Sequence, residues 1–271
     1  MDFKHKVVTI TGASSGIGKA LAEELAKRGA NVVLAARQYG TLCEITAALE
    51  EKYGIKALAI QADVTKESDC EMLIKQTLIT FGKIDILINN AGLSMRALFN
   101  DVDLAVLKNL MDVNFWGTVY CTKYALPEIL KTKGSIIGVS SIAGYRGLPG
   151  RTGYSASKFA MNGFMESLRT ELLKTGVHVM VACPGFTTSN IRIAALSKDG
   201  AAHGVTSMEE GKMMTAEKVA EIIGNGIIDR KRTLIITGQG KLAVWVNKLF
   251  PAFADKKVFA LFAKEKNPLI K

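Results

Sequence analysis

The sequence predicts an α/β fold: one domain on a doubly wound, seven-stranded parallel sheet. Three observations carry this. Short β-branched apolar runs alternate with longer segments of helical periodicity. The runs are continuously apolar, as strands are when helices cover both faces of a sheet. The first run passes through a glycine-rich turn straight into the first helical segment.

In chain order, "KVVTITG" (Lys6–Gly12) reads as the first strand and "GKALAEELAKRG" (Gly18–Gly29) as a helix with a glycine stop. The strand "NVVLAAR", the helix "TLCEITAALEEKYG", the strand "KALAIQADV", the helix "ESDCEMLIKQTLITFG" and the strand "KIDILINNAG" follow. A helical segment over about Asp101–Lys131 leads to "GSIIGVSS", and one over about Thr152–Lys174 leads to "VHVMVACPG". Phe186–Met214 is polar, contains Met208, Met213 and Met214, and has weak periodicity, which predicts a flap. "AEKVAEIIGNGIIDR" reads as a helix and "RTLIIT" as the seventh strand. No linker or repeat interrupts the chain, so residues 1–238 are expected to form the sheet domain and 239–271 a helical extension of it.

The chain has 271 residues, 48% hydrophobic and 22% charged, enough for one large core. No apolar run approaches the roughly 20 residues that span a bilayer. The N-terminus enters its first strand within a few residues, which reads as leaving no room for a signal peptide. Cys43, Cys70, Cys121 and Cys183 are scattered, which points to reduced thiols, a cytoplasmic location and small buried side chains rather than a disulfide framework. Three histidines without a His/Cys cluster predict no metal site.

The net charge of +10 is uneven: Asp229–Lys271 holds ten Lys/Arg and three Asp/Glu, a net of +7. A solvated basic surface, an anionic substrate and an anionic membrane all fit this excess; no motif accompanies it that would indicate nucleic acid. Leu242, Trp245, Val246 and Leu249 fall at helical spacing, Pro251 interrupts, and Val258, Phe259 and Phe262 resume an apolar face among Lys256, Lys257 and Lys264. Such a face suits packing on a second subunit, roofing a pocket, or peripheral contact with a membrane.

The turn "TGASSGIG" contains Gly12, Ser14, Ser15, Gly16, Ile17 and Gly18. A helix N-terminus there offers unpaired N–H groups to a pyrophosphate, and its glycines permit the close approach. The spacing is G-x-x-x-G-x-G. "NNAG" (Asn89–Gly92), Asn114 in "MDVNFWG", Ser141 ending "GVSS", "YSASK" (Tyr154–Lys158) and Pro184–Gly185 follow in order. With these motifs the sequence resembles the classical-type short-chain dehydrogenase/reductase family over about Lys6–Thr237.

The resemblance implies a Rossmann-type fold and an oxidoreductase that interconverts a ketone or aldehyde and an alcohol by hydride transfer. It also implies that Asp63 and Val64 border the adenine, that Asn90, Ala91 and Gly92 line the cofactor floor, and that Pro184, Gly185, Phe186 and Thr187 contact the nicotinamide carboxamide, with Ser189 a further hydroxyl partner. An NAD-preferring site would carry an acid near the end of the second strand. Ala36 stands there with Arg37 next, and a guanidinium suits a 2′-phosphate, so NADP(H) is expected over NAD(H). No basic residue stands in the turn itself, which leaves dual specificity open.

Tyr154 is expected to act as the acid/base, Lys158 to lower its pKa, and Ser141 to hold the substrate oxygen. By resemblance, Lys158 also binds the nicotinamide ribose, and Asn114 holds a water that links Lys158 to solvent. Each residue alone has a structural explanation as a cap, turn or helix-surface residue; the four together favour chemistry. Ser94, Met95, Ile142, Ala143 and Leu148, with the flap, should line a largely apolar pocket for a lipid- or steroid-like substrate. A 3-oxoacyl-carrier-protein reductase and a non-catalytic NADP-binding sensor or scaffold are the competing readings. No G-x-S-x-G follows a strand, so a hydrolase is excluded. Family members pair through the helices that here span about Asp101–Lys131 and Thr152–Lys174, which implies a homodimer or homotetramer, with Gly163 and Ser167 allowing close approach.

Overall fold

The structure, a computed structural model, describes residues 3–188, 191–202, 204, 213–264 and 267–270. Ser189 and Met208 lie outside the described residues, as does part of the expected flap.

Seven parallel strands form one sheet: β1 (Val7–Thr11), β2 (Asn31–Ala36), β3 (Ala57–Gln61), β4 (Ile86–Asn89), β5 (Ser135–Val139), β6 (His178–Cys183) and β7 (Thr233–Ile235). Their order is β3-β2-β1-β4-β5-β6-β7. This is the doubly wound fold the periodicities predicted. β1, β4, β5 and β6 are buried at every residue, which explains why their sequences lack polar alternation. The strand order reverses between β1 and β4, and that switch opens a crevice at the carboxyl ends of the strands. Thr11 pairs with Ala35 in β2, so the glycine-rich turn and Arg37 emerge at the same end of the sheet.

α1 (Gly16–Lys27), α2 (Tyr39–Tyr53) and α7 (Ala216–Ile228) flank the sheet with α3 (Glu67–Phe81), α5 (Gly117–Thr132) and α6 (Thr152–Glu171). Two apolar clusters result. Val8, Ile10, Leu21, Leu25 and Ile223 meet in one; Leu73, Leu87, Ile129, Ile136 and Met165 meet in the other. At the sheet's opposite end, Asp85 accepts from Val7 N at 2.9 Å and pairs with Lys6 and Lys83, each at 2.9 Å. Burial raises the Asp85 pKa, but these donors outweigh it and hold the carboxyl below its ordinary value.

Two boundaries differ from expectation. α1 starts at Gly16, inside the glycine-rich turn, because Ser15 takes the extended N-cap conformation. The segment expected as one helix over Asp101–Lys131 is α4 (Leu104–Met111), one π turn (Asp112–Trp116) and α5. A π turn inserts one residue into the helical register without breaking the axis, which periodicity alone does not reveal.

The carboxyl-terminal segment forms α8 (Gly238–Leu249) and α9 (Pro251–Phe262), with Pro251 opening α9 where its missing N–H costs nothing. It is stitched to the body. Arg146 donates to Asn247 Oδ1 at 2.9 Å and pairs with Asp255 at 2.6 Å. Asn247 Nδ2 donates to Tyr145 O at 3.1 Å, and Arg96 Nη2 to Asn267 O at 2.5 Å.

Candidate active site

The phosphate end of the crevice is built from backbone. The N-cap Ser15 makes no side-chain cap hydrogen bond, and Ser15, Gly16 and Ile17, at the start of α1, line the cavity. A Cβ on Gly12, where φ is +64°, would stand 2.7 Å from Ala91 Cα, and one on Gly18 would stand 2.2 Å from Gly12 O. Only glycine allows the turn to press against the strand behind it. Asn90 fixes that contact: Nδ2 donates to Thr11 O at 2.9 Å and to Gly12 O at 3.1 Å. Thr11 Oγ1 accepts from the N–H groups of Asn90 and Ala91, each at 3.0 Å. "NNAG" therefore ties β4 to the turn after β1.

Gly12, Ser14, Ser15, Gly16, Ile17, Arg37, Asp63, Val64, Asn90, Ala91, Gly92, Pro184, Gly185, Phe186 and Thr187 all line one cavity of about 1790 Å³. Gly18 sits behind the turn and off the wall. Asp63 Oδ1 accepts from Thr65 N at 3.0 Å and Thr65 Oγ1 at 2.9 Å, an Asx turn that aims the loop after β3 at the cavity. Arg37 is exposed at the rim after β2, beside Gln38, whose Oε1 accepts from Ser14 Oγ at 3.1 Å. The cradle and the helix start fit the pyrophosphate of a nicotinamide dinucleotide. The volume exceeds the roughly 300–1,000 Å³ usual for one small ligand, which leaves room for a substrate alongside it.

The reacting groups converge where β5 ends and α6 begins. Ser141 caps a 3₁₀ turn, Ile142–Gly144, with its Oγ accepting from Ala143 N at 3.1 Å. Its side chain stands near enough to the Tyr154 phenol to draw the phenol's pKa down. Lys158 lies one helical turn beyond Tyr154. It is buried, its Nζ donates to Val139 O at 2.9 Å, and that nitrogen stands over the Tyr154 ring, 6.0 Å from the centroid. Asn114, in the middle of the π turn, clamps the loop after β4. Oδ1 accepts from Leu93 N at 2.8 Å, and Nδ2 donates to Leu93 O at 2.9 Å and Ser157 Oγ at 2.8 Å. Ser157 Oγ in turn donates to Tyr154 O at 2.8 Å. Asn114 thus joins three segments from behind the cavity wall, and a Cβ on Gly92 would come within 3.2 Å of its Oδ1 and 3.5 Å of Lys158 Nζ.

The electrostatics follow from burial. Burial raises the Tyr154 pKa above its ordinary value; the Ser141 side chain and the charge of Arg151 pull it down only in part. Burial pushes Lys158 down to about 8. Burial pushes Cys183 up to about 12, so its thiol stays neutral. Cys70, Cys121 and Cys183 are buried as expected, whereas Cys43 is only half-buried on α2.

Ser94, Ile142, Ala143 and Leu148 line the cavity, as do Met213 and Met214. Met95 does not. It is completely buried between α4 and the loop bearing Leu196, packed with Val106 and Leu110. Its neighbour Ser94 faces the cavity, and successive residues of extended chain point opposite ways. Sequence reasoning missed Arg146, Arg151 and Arg192 on the wall, and Lys264 beyond α9. Arg151 is buried, with its guanidinium 5.0 Å from the Phe262 ring centroid. Its place one helical turn before Tyr154 was the available signal.

Comparison with known proteins agrees with this geometry. The model of the family described as short chain dehydrogenase matches residues 6–200. The 11-beta-hydroxysteroid dehydrogenase A of Sesamum indicum is 40% identical over 191 residues, 70% of this chain and 55% of that protein. The chain spans about half the length of several curated relatives it matches. The 11-beta-hydroxysteroid dehydrogenase-like 4A of Arabidopsis thaliana is 36% identical over 257 residues, 93% of this chain and 83% of that protein. A short chain dehydrogenase/reductase from Burkholderia phymatum, solved in complex with NAD, has a TM-score of 0.81 at 25% identity, covering 93% of this chain and 96% of its own. An alcohol dehydrogenase from Thermococcus sibiricus, complexed with 5-hydroxy-NADP, shares the fold at 24% identity, with a TM-score of 0.72 and coverage of 84% and 93%. Since the family model spans well over half of the sequence and one relative aligns along most of both lengths, this chain belongs to the short chain dehydrogenase family.

Proposed function

We propose that the chain is an NADP(H)-dependent oxidoreductase that interconverts a ketone or aldehyde and an alcohol, on a hydrophobic substrate of lipid or steroid size. The observation that carries this reading is the convergence of Ser141, Tyr154 and Lys158 on the wall of a dinucleotide-sized cavity, with the Lys158 nitrogen 6.0 Å from the Tyr154 ring centroid. The bound nicotinamide would supply or accept the hydride.

The chain's own residues manage the oxygen and its proton. With its pKa above the ordinary phenol value, Tyr154 is protonated near neutral pH and placed to donate to a carbonyl oxygen as negative charge develops there. The Ser141 hydroxyl holds that same oxygen and stabilises the charge. In the oxidative direction the phenolate must form first, so alcohol oxidation is expected to rise with pH. Lys158, at about 8, sits close enough to neutrality to hold or release a proton. Asn114 keeps the loop after β4 and the start of α6 in register.

NADP(H) is favoured by Arg37 at the rim and by Ala36 where an acid would bind a ribose hydroxyl. A hydrophobic substrate is favoured by Ile142, Leu148, Phe186, Met213, Met214 and Phe262 on the wall, and by hydroxysteroid dehydrogenases among the relatives. Exposed Trp116 and Phe159, with Gly163 and Ser167 exposed on α6, favour pairing of two copies through these helices. Four free thiols suit a reducing, cytoplasmic compartment.

The test is oxidation of NADPH and NADH across ketones graded from small and polar to steroid-sized. Turnover is expected with NADPH, increasing toward apolar ketones and lost in Tyr154→Phe. Cofactor binding without turnover of any carbonyl would sink the reading.

A further inference from the structure

We propose that the α8–α9 hairpin docks the protein on an anionic lipid bilayer and turns the cavity mouth toward lipid-dissolved substrate. The substrate-entry half rests on the lipophilic-carbonyl reading above; the docking half does not.

The hairpin has two working faces. Inward, Gly240, Ala243, Val258, Leu261 and Phe262 form part of the cavity wall. Outward, Leu242, Trp245, Leu249, Phe250, Phe253 and Phe259 are each about half exposed, from 48% to 60%. With Leu261, seven of the eighteen exposed large hydrophobics among the described residues fall within twenty residues of chain. Scattered apolar side chains are ordinary on a surface, but a cluster of this density marks an interaction site.

Charge identifies the occupant. Lys241, Lys248, Lys256, Lys257 and Lys264 stand among these side chains, and the sole acid between Gly238 and Lys264, Asp255, is engaged by Arg146. A second copy docking here would bring two lysine-rich faces together. Aromatic side chains interleaved with lysines suit the headgroup region of an anionic bilayer, where rings sit at the boundary and ammonium groups reach the phosphates. The contact is peripheral. Among the described residues no helix is long and apolar enough to cross a membrane, and α8 and α9 have 12 residues each. Because the inner face walls the cavity, a bilayer against the outer face lies next to the substrate's way in.

The experiment is flotation of the full chain with vesicles of phosphatidylcholine alone or with about one third phosphatidylserine. Binding is expected only with phosphatidylserine and is expected to fall at least tenfold in high salt, since surface charge is screened. Two variants, Trp245→Glu/Phe253→Glu and Lys248→Glu/Lys256→Glu/Lys257→Glu, avoid the cavity wall and should each lose flotation while keeping the wild-type circular dichroism spectrum. Brominated lipid should quench wild-type fluorescence far more than that of Trp245→Phe. No wild-type flotation, equal binding to neutral vesicles, or flotation that survives in both variants would overturn the docking. Loss of self-association in the variants, with no vesicle binding by the wild type, would assign the hairpin to a second copy and overturn it too. Phosphatidylserine vesicles should raise turnover of a bilayer-dissolved ketone several-fold and leave a water-soluble one unchanged; docking without that difference would overturn the substrate-entry half alone. Flotation and quenching do not depend on turnover, so failure of the oxidoreductase reading leaves the docking test intact.

Discussion

Lys158 shows a conflict between folding and chemistry within one side chain. Its ordinary pKa of 10.5 falls to about 8 because burial penalises the ammonium. The folded state therefore pays for the charged form below about pH 8, and the penalty fades as pH rises toward 10.5. That difference corresponds to a cost on the order of 3 kcal/mol. Lys158→Met is expected to abolish turnover yet stabilise the cofactor-free protein near neutral pH by about 1–3 kcal/mol, as read from urea unfolding. The gain should shrink in alkaline buffer. Arg151 supplies the counterpart for Tyr154. Its charge draws the phenol pKa down, so Arg151→Leu is expected to move the rise of alcohol oxidation to higher pH, and Arg151→Lys to restore it. A kcat/KM profile against pH reads both. At the rim, Arg37→Ala should raise KM for NADPH by roughly ten- to a hundredfold, the worth of a charged hydrogen bond, and leave NADH little changed.

The elements hold the site by pinning strand ends. Asp85 does this at the foot of the sheet, where it joins the start of β1 to the approach to β4. Because its folded pKa is depressed, its contribution is present above the ordinary carboxylate range and is lost as pH falls through the folded value. Asp85→Asn is expected to cost about 2 kcal/mol near neutral pH, discounted for its half-exposed lysine partners. Acid should erase the difference between the two proteins, which chemical denaturation at both pH values would show. The π turn is the other positioning device. It places Asn114 where a regular helix would have carried it past Leu93. The sequence contains Asn114 but not its register, because one inserted residue leaves the apolar pattern of α4 and α5 almost unchanged.

At the scale of the molecule, the carboxyl-terminal hairpin adds a wall to the crevice at the carboxyl ends of the strands. Arg146 reaching Asn247 and Asp255, and Arg151 stacking on Phe262, are long-range contacts of a kind that no local pattern announces. Gly163→Arg should disrupt the proposed pairing through α6, lowering the mass measured by light scattering without unfolding the protein. A Cβ there meets nothing within 4 Å, so the monomer tolerates the substitution.

The sequence by itself determined the doubly wound sheet, the glycine turn and the order of Asn114, Ser141, Tyr154 and Lys158. All of these rest on local periodicity, glycine sterics and short spacings. Met95 shows the limit: its type and neighbourhood suggested a pocket, yet its side chain points into the core, because only packing decides which way a loop residue faces. The tertiary structure alone decided that Arg151 packs on Phe262, that Lys158 is buried enough to titrate near 8, and that the tail walls the cavity. Burial and long-range charge arise only when segments far apart in the chain exclude water together, and no single segment carries that information.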